Sequence, residues 1–393
     1  MSPRRIIRSM TSLFLSMSFL FIGNALIVSS TGVILKENTQ SSLDVGIVSS
    51  CFFIGALVGT ISAHRIISRI GHIRSFGLFG AVFGISTMLH ILNENLLFWA
   101  LLRFFIGICY YGLLMIIESW LNDKAKNAVR SRVLSFYEIV FYLSFGVGLL
   151  IIALDLNKQN LFILSASLIL LSSLPLNLIK IKEPKLPSLS TISIPKVFNL
   201  APLAIITSFV AGMLMNGFFS MASLFILLQD FNSKEVSYFM FCTMVGGFLA
   251  QTIIGIVSDT LGRKFAIICC CIIGFITMLC FIFLNPSLYF QYILAFFLGI
   301  GILCLYALAL ARANDMLEEK NEAVEVGRGI LFCYSLGSFI APLILAVLMH
   351  YFGAKGFTWF YLLTLGFLIL FALNKPNILN KKFKKRAMVM LDD

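Results

Sequence analysis

Three ionisable side chains stand where the sequence otherwise offers hydrocarbon: Arg103, Glu118 and Glu138. Arg103 lies about seven residues, or ~10 Å of helix, inside an apolar run beginning near residue 96. An unpaired charge at that depth costs on the order of several kcal/mol, so the guanidinium must face a water-lined cavity, meet a partner, or snorkel to the headgroups. Its planar fork suits a carboxylate or phosphate, and a salt bridge or a proton-coupling role would use it equally well. Glu118 and Glu138, near the ends of two such runs, can carry protons or pair at the interface with Lys124, Arg130 or Arg132. The histidines His64, His72, His90 and His350 lie near run ends without metal-ligand spacing and read as interfacial rather than as proton carriers. Cys269, Cys270 and Cys271 are consecutive, point about 100° apart on a helix and cannot converge on one metal. All nine cysteines fall in apolar segments, where thiols act as small hydrophobes. No metal site and no cofactor are expected, and no phosphate-cradling G-x-x-x-x-G-K-[ST] motif is present to couple ATP.

The elements that must position these residues are membrane spans. Hydrophobic residues make up 59% of the 393 and charged ones 12%, against roughly 25% charged in a soluble domain. Apolar runs near the ~20 residues needed to cross the bilayer recur from Phe14 to Phe371. They predict twelve transmembrane helices at 12–35, 45–67, 75–92, 96–118, 133–153, 161–181, 200–228, 236–257, 265–284, 288–311, 325–350 and 356–374. The first follows Arg4, Arg5 and Arg8, but its apolar run, Leu13 to Leu35, exceeds a signal-peptide core and reads as a retained span. The segment 182–199 carries Pro184, Pro187 and Pro195 and is the natural linker between an N-terminal six-helix bundle, 1–181, and a C-terminal one, 200–374. A basic tail, 375–393, follows.

The net charge of +12 belongs to topology. With the amino terminus in the cytoplasm, 25 Lys and Arg fall on cytoplasmic segments, while only Lys36, Lys158, Lys234 and Lys355 face the other side, a positive-inside pattern. Both termini are then cytoplasmic. The basic residues sit in short loops with no basic face on a folded domain, so nucleic acid is not an expected partner.

The two halves echo each other. Phe104-Phe105-Ile106-Gly107-Ile108 recurs as Phe296-Phe297-Leu298-Gly299-Ile300, 192 residues on; Asn24 recurs at Asn216 and Asn122-Asp123 at Asn314-Asp315 with the same offset. Gly71 matches Gly262 and Gly146 matches Gly337 at 191. The shared offset marks a duplicated fold. Gly55 with Gly59 and Gly80 with Gly84, each four apart, fit close helix packing.

Between spans 8 and 9 lies Gly255-Ile256-Val257-Ser258-Asp259-Thr260-Leu261-Gly262-Arg263-Lys264. Gly255 would permit close helix approach, Gly262 a tight turn, and Asp259 a pairing with a basic group or a helix N-terminus; the loop either latches one conformation or only fixes topology. The paired loop, His64 to Arg74, keeps Gly71 and basic residues including Arg74, but has Ser68 in place of the acid.

This G-x-x-x-D-x-x-G-R-K pattern with six plus six spans resembles the major facilitator superfamily, over essentially the whole chain. Glu118-Ser119-Trp120-Leu121-Asn122 and Ala309-Leu310-Ala311-Arg312-Ala313-Asn314-Asp315 are similar to its YcaD-like bacterial branch. The resemblance implies an all-α membrane protein of two pseudo-symmetric six-helix bundles, rocking around a midplane site. It implies a gating role for Gly71, Arg74, Gly255, Asp259, Gly262 and Arg263. It also implies a substrate cavity lined from spans 1, 4, 7 and 10, where Asn24, Arg103, Tyr110, Tyr111, Asn216 and Tyr306 are the candidates. Relatives often carry an Arg at the place of Arg103, with a glycine four residues later, here Gly107. The span 5 motif of antiporters is only partly present, as Gly146 and Gly148 with no proline, which favours import or symport over drug-proton antiport. The expectation is a monomeric secondary transporter of the bacterial inner membrane, moving a small solute, with Glu118 and Glu138 as proton-coupling candidates and the energy coupling open between proton symport and facilitated diffusion. The competing classes are a membrane sensor that keeps the fold without transport and a polytopic membrane enzyme.

Overall fold

Hydrocarbon supplies no water to the backbone, so a chain this apolar must satisfy its amide groups within each segment, as a helix does. In the computed structural model, residues 10–39, 41–124, 130–178, 201–316 and 323–376 are described, and they form helices with no strand among them. In order these are α1 (Thr11–Thr39), α2 (Ser42–Ile70), α3 (His72–Leu89), α4 (Leu96–Lys124), α5 (Arg130–Ile152), α6 (Lys158–Leu171) and α7 (Leu174–Asn177). Then follow α8 (Pro202–Leu227), α9 (Ser233–Leu261), α10 (Arg263–Leu284), α11 (Leu288–Ile302), α12 (Leu305–Asp315), α13 (Ala323–Phe352) and α14 (Ala354–Leu373). Eleven helical stretches are long and apolar enough to span a membrane, with α6 and α7 forming one and α11 and α12 another; the shorter apolar stretch Phe136–Ile152 of α5 makes the twelfth.

Local sequence sets the breaks. Gly71 at φ 85° and Gly262 at φ 97° separate α2 from α3 and α9 from α10, in the left-handed region where other residues are strained. Asn95 accepts from the Leu97 and Phe98 amides to start α4, and Asn157 accepts from the Asn160 amide at 2.8 Å to start α6. The third span, expected at 75–92, begins instead at His72 directly after the glycine turn. The tenth, expected to be continuous, breaks at Leu303 and Cys304 just after Gly299 and Gly301, both weak helix formers.

The chain divides into two compact units. One holds residues 1–189 with 219–241, the other 190–218 with 242–393. The expected linker, 182–199, lies outside the described residues. In the first unit α2 crosses α4 so closely that a Cβ on Gly55 would overlap the Phe104 carbonyl, and one on Gly107 the Phe52 carbonyl. Gly59 sits likewise against Ile108, while Gly80 and Gly84 meet Ser173 and Leu170. The ends of α8 and α9 included in this unit rest on α5 and α1: Ser237 donates to the Leu149 carbonyl, and Ser29 Oγ lies 3.4 Å from Met240 Sδ. In the second unit, α9 and α11 cross with Gly246 on the Phe296 carbonyl and Gly299 on that of Thr243. The repeated F-F-x-G-I sequence is therefore a repeated backbone crossing.

Gly107→Ala should force α2 from α4 and destabilise the detergent-purified protein by about 1–3 kcal/mol. Gly77→Ala, where a Cβ would meet nothing within 4 Å, should be neutral in the same thermal-unfolding measurement. Equal melting for the two variants would contradict the crossing.

Candidate functional site

Arg103 projects into the first unit and is 3% exposed. Its Nη2 donates a long 3.4 Å bond to the Ile27 carbonyl of α1, and its guanidinium carbon stands 5.8 Å from the Phe52 ring centre on α2. Among the described residues Nε and Nη1 have no partner, and no carboxylate pairs with the side chain. Asn24, one turn before Ile27, is buried with Oδ1 also unpartnered. α1 and α4 thus bring Arg103 and Asn24 to neighbouring turns. Tyr110 and Tyr111 follow along α4, with ring centres 6.0 and 6.5 Å from Phe52.

In the second unit Asn216 donates through Nδ2 to Ser338 Oγ at 2.7 Å, and Ser338 donates to the Tyr334 carbonyl. Tyr306 lies 4.6 Å from Tyr334 between ring centres, and the Tyr334 hydroxyl reaches Met215 Sδ at 3.2 Å. Asn216 and Tyr306 therefore both adjoin the Tyr334 turn of α13.

Glu118 on α4 and Glu138 on α5 lie close enough for their charges to act on each other. Glu118 is exposed and Glu138 half-buried. The side chains of Lys124, Arg130 and Arg132, the alternative partners considered for them, lie outside the described residues.

The loop after α9 is built around Arg263. Its Nε donates to Asp315 Oδ2 at 2.9 Å, and its Nη1 to Asp259 at 2.5 Å and Ser258 Oγ at 2.7 Å. Nearby, Lys264 donates to the Leu373 and Lys375 carbonyls, and Arg312, 2% exposed, to that of Pro376 at 2.7 Å. Gly255 corrects an expectation, because a Cβ there would meet nothing within 4 Å, so no helix among the described residues approaches it closely. In the paired loop the position of Arg263 is held by His72, whose Nε2 lies 3.1 Å from Ser119 Oγ and whose ring faces Trp120; Arg74 is exposed. His72 and His90 are buried, not interfacial as their positions near run ends suggested.

Asp315, Ser258, His90 and Thr87 were not singled out as site residues by sequence. The repeat of Asn122-Asp123 at Asn314-Asp315 was a signal for the first; nothing local marks the others.

This fold and these loops carry a family assignment. The chain belongs to the major facilitator superfamily, whose model matches residues 13–246 and 204–388, a family of secondary transporters. Among curated proteins it is similar to the MFS-type transporter YcaD of Escherichia fergusonii, 27% identical over 315 residues, covering 79% of this chain and 80% of the relative. The Escherichia coli YcaD is 26% identical over 326 residues, 81% and 83% of the two chains. The fold is similar to that of the nucleoside transporter NupG, with TM-score 0.74, 12% identity, and coverage of 92% of this chain and 97% of that one. It is also similar to a bacterial homologue of the lysosomal transporter Spinster, solved inward-facing and unoccupied, with TM-score 0.66, 15% identity, and coverage of 93% and 95%.

Asp259→Asn keeps the side-chain size but removes one charge from Arg263, leaving Asp315. Because the pair is partly exposed, stability should change by less than about 1 kcal/mol. The rate of solute exchange by reconstituted protein should fall. An unchanged rate with normal expression assigns Asp259 to topology alone.

Proposed function

We propose that this protein moves a small solute across the bacterial inner membrane by alternating access, with the proton as coupling ion and both termini in the cytoplasm. The observation that carries the reading is Arg103, a charge buried in a membrane helix without a counter-charge, in a chain whose family transports solutes. A bare guanidinium at that depth costs too much to keep for packing alone, which favours a working role. The candidate substrate-binding residues are Asn24, Arg103, Tyr110 and Tyr111 in the first unit and, in the second taken by itself, Asn216 and Tyr306. The gating residues are Gly71, Arg74, Asp259, Gly262 and Arg263.

Glu118 and Glu138 are the proton carriers in this reading. Two carboxylates within reach of each other do not both ionise freely, so the pair can hold and release one proton. The partners are the lipid bilayer, the solute and protons.

A thermal-shift screen of organic acids, sugars, peptides, siderophores and cationic drugs identifies a solute. Its uptake into proteoliposomes is then followed with and without an imposed pH gradient. Wild-type protein should accumulate the solute uphill, and Glu118→Gln with Glu138→Gln should lose accumulation while retaining solute exchange. Accumulation unchanged in the double variant removes the glutamates from coupling.

A further inference from the structure

Arg103 does not stand alone in the first unit. His90, at the end of α3, is 0% exposed, and the Thr87 hydroxyl one turn before it is buried without a partner. His90 Nδ1 lies 2.8 Å from the Ser86 carbonyl, an acceptor only, so this nitrogen carries the hydrogen. In the neutral ring Nε2 then presents a lone pair, and it too has no partner. The ring is held in place: it stacks on Phe162 of α6 at 5.4 Å and meets Trp99 of α4 edge-on at 5.0 Å. Trp99 is one turn from Arg103 on the same helix, and the guanidinium charge acts on His90.

The ionisable groups around His90 are few. From α4 there is Arg103, and from α6 there is Lys158, which sits over the Trp99 ring and is paired with Glu94 of the α3–α4 loop. α1 contributes Asn24 and no ionisable group in the turn 23–27. Apart from the Lys158–Glu94 pair, the cluster among the described residues is therefore one buried cation, one lone-pair nitrogen within reach of its charge and two unpartnered oxygens, with no unpaired anion. At the repeat-related positions the second half has Ala295 for Arg103, Phe281 for His90 and Met278 for Thr87, keeping only Asn216 for Asn24. A structural duty common to both halves does not explain polar residues at these places.

We propose that Arg103 and His90 together form a site for one small anionic group, carboxylate or phosphate, taken up with one proton. The anion accepts along one edge of the Arg103 guanidinium, from Nε or Nη1 together with the second Nη2 hydrogen, which its two oxygens match as a fork. The proton, drawn from water, forms an N–H bond at His90 Nε2, which then donates to the same anion. Without the anion, a proton on His90 adds a second positive charge beside Arg103 in a low-dielectric interior, which is unfavourable. Each ligand therefore raises the affinity for the other, by equal factors. This rests on Arg103 being the working charge of the transporter and adds to it the substrate class and a proton taken up at His90 on binding, separate from the one carried by Glu118 and Glu138.

The test is calorimetric titration of purified protein with acetate, benzoate and inorganic phosphate at pH 6 and 8, in buffers of different ionisation heat so that protons are counted. Wild-type protein should bind at least one probe about ten-fold or more tightly at pH 6 than at pH 8, taking up about one proton per anion. His90→Gln should bind without proton uptake and with the same affinity at both pH values, and Arg103→Gln should not bind. Thr87→Val, which leaves both charges in place, should bind several-fold more weakly with the proton count unchanged, and decides the matter should His90→Gln not fold. Binding by no probe, proton uptake persisting in His90→Gln, binding retained in Arg103→Gln, or full affinity in Thr87→Val each overturns the site. Uptake of a neutral or cationic solute by protein that binds no anion would remove this site and leave transport standing; anion binding with no solute transported would do the reverse.

Discussion

Lipid tails are as apolar as leucine, so helices in a bilayer have no hydrophobic reason to associate and depend on close contact of their surfaces. In this protein that contact is made backbone to backbone at glycine. α2 and α4 cross at Gly55 and Gly107, and α9 and α11 cross at Gly246 and Gly299, with a carbonyl where each side chain would be. The same crossing occurs in each unit, at sequence positions 191 or 192 apart. The recurring F-F-x-G-I motif is the trace of this constraint.

The crossing also places the chemistry. Arg103 is one helical turn before Gly107 and directly before Phe104, whose carbonyl abuts Gly55. The backbone carrying the guanidinium is consequently fixed against α2, and the side chain is committed to the interior with Ile27 and Phe52. A charge so placed cannot swing to the headgroups without disturbing the packing of its own helix. Relief has to come to it, as water, as a proton-linked neighbour or as an anion. His90, held by Phe162, Trp99 and the Ser86 carbonyl, is equally fixed. Two rigid polar groups that leave hydrogen-bonding capacity unused favour a binding role over a packing one.

Much of this was legible in the sequence because membrane physics writes in long words. Twelve apolar runs, the repeat offset and the Gly262 turn follow from length, charge and glycine placement, and the span predictions differ from the helices chiefly at ends such as His72 and at the Leu303–Cys304 break. Arg103 was visible because a charge in an apolar run has no bland explanation. His90 and Thr87 were not, since a histidine near a run's end has the same local sequence whether its ring turns to the headgroups or inward. Only the packing of α3 against α4 and α6 decides between them. Gly255 failed in the opposite sense: it sits in a motif of glycines, but nothing among the described residues approaches it within 4 Å.

The central claim is that the buried charge of Arg103 is functional. Its most direct measurement is solute uptake by proteoliposomes carrying Arg103→Ala or Arg103→Lys, matched to wild type for reconstituted protein and thermal stability. Ala should abolish uptake. Lys should keep the charge but lose the two-pronged donor, lowering affinity about ten-fold or more. Normal uptake by the folded Arg103→Ala protein would contradict the account.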